Sequence, residues 1–140
     1  MHDFNNFEFP AQLAKVLAVK CDIRKHFVEA YKAKDLKKLK NIIDKELKPL
    51  IKDCECLAKI HRDQWLSMYK PFGLEVLEIR YGGLINRLKS LNDRVESFVN
   101  NKISNIPEFE TKLLPFAGGP EKSMIHINSY QRMATPSVIF

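Results

Sequence analysis

From Leu36 to Phe98 apolar side chains recur every third or fourth residue, and the pattern pauses once, at Lys70-Pro71-Phe72-Gly73. That period belongs to helices that bury one face. The stripe reads Leu36, Leu39, Ile43, Leu47, Leu50, Cys54, Leu57, His61, Gln64 and Met68, and Ile42, Ile51, Ile60 and Trp65 widen it. Asp35 stands just before it as an N-cap. Pro49 lies inside the stripe without shifting its phase, so a kink there, or two helices nearly end to end, is expected. Past the break, Leu74, Leu77, Tyr81, Leu84, Leu88, Leu91, Val95 and Phe98 predict a further helix that ends near Asn100 and Asn101.

Upstream, Pro10 suits a first helical turn. Leu13, Val16, Ile23, Phe27 and Ala30 then predict a helix from about Pro10 to about Ala33. Phe4, Phe7 and Phe9 are expected to pack onto a helix. The fold class that follows is mostly α: an antiparallel three-helix bundle, or four helices if Pro49 divides the second, with an extended or short-strand C-terminal tail. With only 5 Gly and 7 Pro in 140 residues, neither a turn-rich β-sandwich nor a disordered linker is favoured. The paired Gly82 and Gly83 fall inside the last long helix, at a cost of about 1 kcal/mol each against Ala. Close approach of another backbone or of a bulky ring is the expected reason.

One domain accounts for this length. An irregular segment is expected over 1–9, the helical unit over 10–115, and a loop and tail over 116–140. Within these bounds Ile106-Pro107-Glu108 is expected to open a short helix running through Leu113 and Leu114. Pro115 and Gly118-Gly119-Pro120 make a loop, and Ser123 to Tyr130 reads as a strand or an extended segment. Together with the apolar end Val138-Ile139-Phe140, this segment suggests a tail that packs on a surface the chain does not contain, since one strand is not stable alone.

The net charge is +6, much of it on Lys32, Lys34, Lys37, Lys38, Lys40, Lys45, Lys48 and Lys52. These alternate with the stripe and read as the solvated face of an amphipathic helix. Without interleaved aromatics and with almost no Arg, the segment does not describe a nucleic-acid surface. Cys21, Cys54 and Cys56 form no disulfide framework and, with His61, fall short of a zinc set. They read as buried, reduced thiols, which fits a cytoplasmic setting. The start of the chain carries no signal peptide and no stretch reaches membrane-spanning length, so neither membrane nor cofactor is expected.

Catalytic machinery is not legible. A glycosidase needs two carboxylates facing each other across a cleft. The nearest pairs, Asp53 with Glu55 and Glu75 with Glu78, read as solvated helix faces. No nucleophile elbow, phosphate loop or H-E-x-x-H occurs, and His2, His26, His61 and His126 are scattered. No metal ligand or catalytic residue is assigned. One dense polar-aromatic segment remains, from His61-Arg62-Asp63-Gln64-Trp65 to Arg80-Tyr81-Gly82-Gly83. Its structural reading is a Trp at a helical turn ringed by ion pairs. Its functional reading is a contact surface for the rest of an enzyme, or a rim on which a sugar stacks.

The string Arg62-Asp63-Gln64-Trp65, Tyr69-Lys70-Pro71-Phe72-Gly73 and Glu75-Val76-Leu77-Glu78-Ile79-Arg80-Tyr81-Gly82-Gly83-Leu84-Ile85, with Arg87-Leu88, resembles the C-terminal helical domain of bacterial β-N-acetylhexosaminidases of glycoside hydrolase family 20. The resemblance implies a parent enzyme that releases terminal N-acetylhexosamine from a (β/α)8 barrel. There the substrate's acetamido group attacks, assisted by an Asp-Glu pair. The barrel needs about 250 residues and has no place here. What the resemblance implies for this chain is a non-catalytic accessory domain. Its partner would be the barrel or a second subunit in a homodimer, met through Arg62, Trp65, Lys70, Glu75, Arg80, Gly82 and Gly83. The other expectation kept open is a free-standing helical interaction module that uses the Lys-rich helix.

Overall fold

The structure, a computed structural model, describes residues 7–111, and these fold as a bundle of helices with no strand among the described residues. The helices are α1 (Glu8–Lys20), α2 (Ile23–Lys32), α3 (Leu36–Ile42), α4 (Lys48–Met68), α5 (Leu74–Val99) and α6 (Pro107–Glu110); a π-helical turn, Ile43–Leu47, joins α3 to α4. α3, the π turn and α4 form one continuous rod. α5 returns antiparallel to it, setting Tyr81 beside His61, Lys89 on Glu55 and Glu96 on Lys48. α1 and α2 also run against the rod, with Phe9 on His61, Gln12 and Lys15 on Asp53, and His26 on Glu46.

The rod carries the core. Leu39, Ile42, Ile43, Leu47, Leu50, Cys54 and Leu57 are all buried on it, and Val16, Ile23, Phe27, Leu88 and Val95 close over them. Leu84, Leu91 and Phe98 pack half-buried against the same cluster. The stripe of α4 and α5 thus faces the core as its spacing predicts. Burial fades past Leu57, however, and Met68, at the far end of the stripe, is exposed.

Pro49 acts one turn upstream of where a kink is expected. Proline offers no N–H, and its ring would press on the carbonyl four residues earlier, that of Lys45. The backbone widens over Ile43–Leu47, where the Lys48 N–H donates to the Ile43 carbonyl in the longer π register. Pro49 then occupies the first turn of α4. The widened turn inserts a residue into the stripe, so that the neighbours Ile42 and Ile43 are both buried at 2% exposure.

The expected helix over 10–33 is two helices. At Asp22 the N–H bonds to Val19, three residues back, and the ladder restarts with His26 on Asp22. Asp competes poorly for helix interiors, and the local tightening leaves Val16, Ile23 and Phe27 all facing inward. Phe9 joins the core edge as expected, but Phe7 is 79% exposed and Phe4 lies outside the described residues. The short C-terminal helix stops at Glu110 rather than reaching Leu114, with Thr111 already extended. Ile106 and Phe109 are buried, and Phe109 stacks on Phe27 at 5.9 Å. The Tyr31 hydroxyl latches this segment: it donates to Glu110 Oε1 at 2.6 Å and accepts from the Ile106 N–H at 3.1 Å. The expected strand at Ser123 to Tyr130, the Leu113-Leu114-Pro115 turn and the apolar end fall outside the described residues.

Asp35 caps α3 as its sequence predicts, accepting from the Lys38 N–H at 2.9 Å. The residue before it closes α2: Asp35 N–H bonds to Ala30 and Lys34 N–H to Tyr31, the pairing of a Schellman end. This forces Lys34 to φ 53°, where a Cβ is strained. Lys34→Gly is therefore expected to stabilise the chain by roughly 0.5–1 kcal/mol. The check is a urea titration whose midpoint rises at unchanged slope.

Candidate functional site

The distal end of the α4–α5 hairpin is ordered by its own polar contacts rather than by the core. Tyr69 leaves α4 in an extended conformation and Gly73 enters α5 at φ 89°, a conformation that favours glycine. The Trp65 ring lies against Gly73, so close that an added methyl there would meet Cζ2 at 3.4 Å. Its indole N–H donates to the Lys70 carbonyl at 3.0 Å. Glu75 folds back to accept from the Gly73 N–H at 2.9 Å, which satisfies a helix-end donor and sets negative charge at the start of α5.

Rings continue from this turn along the hairpin. Tyr69 lies 5.2 Å from Trp65, His61 lies 6.4 Å from Trp65 and 5.8 Å from Tyr81, and Phe9 of α1 covers His61 at 4.4 Å. His61 Nδ1 and the Tyr81 hydroxyl share a hydrogen bond of 2.9 Å. Burial pushes His61 below the usual imidazole value and pushes the Tyr81 phenol up, because each is held away from water in its charged form. On and near this turn Leu66, Met68, Tyr69, Ile79 and above all Phe72, 83% exposed, present apolar side chains to solvent.

The residues singled out from the sequence divide into distinct places. Trp65 is half-buried and, with Lys70, builds the turn; Glu75 caps α5. Arg62 pairs with neighbouring Asp63 at 3.3 Å and, with Gly82, Tyr81 and Glu55, lines a groove of about 310 Å³ between α4 and α5. Arg80 and Gly83 are exposed on α5, on the helix face that Arg87 continues. The expected close approach at the paired glycines is not there: a Cβ at Gly82 or Gly83 would have open space around it among the described residues. Whatever makes those positions small is not packing within residues 7–111.

Many of the described acidic residues are engaged in ion pairs or caps. Asp53 holds Lys15 at 2.7 Å and Glu55 holds Lys89 at 2.7 Å. Glu55 and Glu78 both line the groove between α4 and α5, and Glu55 there is held by Lys89. Among the described residues no group of His, Cys, Asp and Glu is placed to hold a metal ion. The cysteines depart from expectation. Cys54 is buried, and that burial raises its thiol, but Cys21 and Cys56 are exposed and all of them are free. They stand on helix faces that solvent reaches. No helix among the described residues is long and apolar enough to cross a membrane.

Sequence reasoning missed a cluster of cations contributed by separate helices: Lys20, Arg24, Arg87 and Arg94 border one groove. The available signal was the seven-residue step from Arg87 to Arg94, which sets both on one face of α5. The lysines of α3 behave as read, since Lys37, Lys38 and Lys40 are exposed. Lys48 is the exception, held by Asp44 and Glu96 at 3.0 Å each.

Compared with known proteins, residues 2–127 match the family model of the glycoside hydrolase 20C C-terminal domain. No curated protein matches the chain.

Gly73→Ala is expected to cost about 1–2 kcal/mol, from left-handed strain and pressure on the Trp65 ring; equilibrium unfolding followed by Trp65 fluorescence measures it. His61 gives a pH dependence. Its folded value is lowered, so the unfolded chain binds the proton more readily, and stability is lost as pH falls from about 6.5 through the folded value. Unfolding midpoints taken across that window should decline in the native chain and decline less in His61→Gln.

Proposed function

This chain belongs to the glycoside hydrolase 20C C-terminal domain family, and we propose that it serves as the non-catalytic accessory domain of a β-N-acetylhexosaminidase, docked on the catalytic barrel by the end of the α4–α5 hairpin. The observation that carries this reading is the apolar outcrop of Leu66, Met68, Tyr69, Phe72 and Ile79, which no part of residues 7–111 covers. Grouped exposed apolar side chains mark interaction surfaces, whereas scattered ones do not. The turn beneath them is pre-organised by Trp65, Gly73 and Glu75, so little ordering cost remains at association. Gly82 and Gly83, with open space above them, fit a second backbone that approaches α5 from outside.

The same reading takes the helical unit as residues 10–115, arranged as three antiparallel rods, the first divided at Asp22 and the second continuous through its π turn, with a separate tail over 116–140. Arg62, Lys70 and Arg80 supply a polar rim around the outcrop, as interfaces commonly have. The ion pairs of Asp53 and Glu55 with lysines favour structural roles for those carboxylates over general acid and base roles. Exposed free thiols at Cys21 and Cys56 suit a reducing, cytoplasmic compartment. Neither nucleic acid nor membrane is invoked as a partner.

The purified chain is expected to leave a chromogenic N-acetylglucosaminide intact. Titrated calorimetrically with the separately produced barrel of its parent enzyme, it should bind, and Phe72→Asp should weaken that binding roughly tenfold or more. Turnover by the chain alone, or binding indifferent to Phe72→Asp, defeats the proposal. Dimerisation of the chain through the same turn, detected by sedimentation, would move the interface to a second subunit.

A further inference from the structure

A second concave surface lies toward the other end of α5. Lys20 closes α1, Arg24 sits in the first turn of α2, and Arg87 and Arg94 stand on α5. Together with Glu108 they rim a groove of about 660 Å³. Its floor is apolar, formed by buried Leu88 and half-buried Leu91. The rim is not a balanced set of ion pairs. Glu108 is its only carboxylate among the described residues, and it lies 3.4 Å from Arg94, while its carbonyl accepts from Arg24 at 3.1 Å. Those bonds fix two guanidiniums at the mouth. Arg87 and Lys20 have no ion-pair partner among the described residues.

We propose that this groove binds an acidic, amphipathic segment of a partner protein, with its carboxylates on Arg87 and Lys20 and its apolar side chains on Leu88 and Leu91. The volume falls in the range of real binding clefts. The unpaired Arg87 guanidinium can grip a carboxylate bidentately, and Lys20 adds a point charge beside it. An apolar floor asks for hydrocarbon between the charges, which a polyphosphate backbone lacks. Single-stranded nucleic acid would ask instead for exposed rings on which to stack, and Phe109, the aromatic residue of the lining, is buried. A lipid surface would ask for several exposed apolar residues beside the cations; Leu17, one turn from Lys20, is exposed but lies outside the groove lining, and Leu66, Met68, Tyr69, Phe72 and Ile79 stand on or near the α4–α5 turn. This groove and that turn are separate surfaces, so the proposal stands whether or not the turn docks a barrel.

The test uses the full chain and a fluorescein-labelled peptide of Glu and Leu at helical spacing, with its Gln-for-Glu counterpart, read by anisotropy. The acidic peptide should bind, more weakly as salt is raised, and the Gln peptide should bind at least about tenfold more weakly. Arg87→Glu and Lys20→Glu should each weaken the acidic peptide about tenfold or more, and Arg87→Gln by less. Lys37→Glu on α3, an equal change in net charge, should leave binding intact; circular dichroism confirms that each variant is folded. Absence of binding, or equal loss in Lys37→Glu, overturns the proposal. Tighter binding of a single-stranded RNA oligonucleotide lost in the same variants also overturns it, in favour of a polyanion site.

Discussion

One line of side chains positions every helix of this domain. Leu39, Ile42, Ile43, Leu47, Leu50, Cys54 and Leu57 lie along a single rod and are buried nearly to completion. Hydrophobic burial is proportional to the apolar area removed from water and carries no direction of its own, so the rod decides where its neighbours lie. α5 covers it from one side and the α1–α2 pair from another, each antiparallel, because short connections return the chain along the surface it has just left. The residues that close the lower end, Ile106 and Phe109, reach the same core through α2, with Tyr31 supplying the polar link.

Much of this was legible in the sequence, and the exceptions share a cause. A period of three and four residues reports which face is buried, and it located the rod, α5 and the Asp35 cap. It does not report the register of the backbone hydrogen bonds. At Asp22 the ladder tightens for one turn, and at Ile43–Leu47 it widens for one turn. In both places the apolar phase survives, because tertiary burial is what the phase records. Pro49 signalled that a departure was due. Its location had to await the structure, because relief of the clash with the Lys45 carbonyl can be spread over the preceding turn.

The candidate site divides in the same way. Trp65, Lys70, Gly73 and Glu75 are close in sequence, and a turn at Lys70-Pro71 brings them together almost by necessity. Their chemistry was therefore readable, although Glu75 proves to be a cap and Trp65 a brace for the turn. Gly82 and Gly83 were readable as an anomaly but not in their cause, since a small residue can leave room for its own fold or for a neighbour, and the open space around them excludes packing within residues 7–111. The cationic groove was hidden because Lys20, Arg24, Arg87 and Arg94 converge only after α1, α2 and α5 have packed. Net charge is blind to such convergence: it was assigned to the lysine-rich α3, whose side chains point apart into solvent.

The unequal distribution of core along the rod has a thermodynamic consequence. Stability within a domain tracks local burial, so segments with few apolar contacts open at lower free energy than the centre. Past Leu57 the hairpin leaves the main core, and what holds it is buried Leu74, the contact of Trp65 with Gly73, two backbone-directed hydrogen bonds and the ring pairs around His61. That end is shaped but weakly anchored, and it carries apolar surface that the other described residues leave uncovered. A partner seated there would supply the burial that the distal half of the hairpin lacks. Any partner that binds the preformed turn then stabilises the domain by mass action.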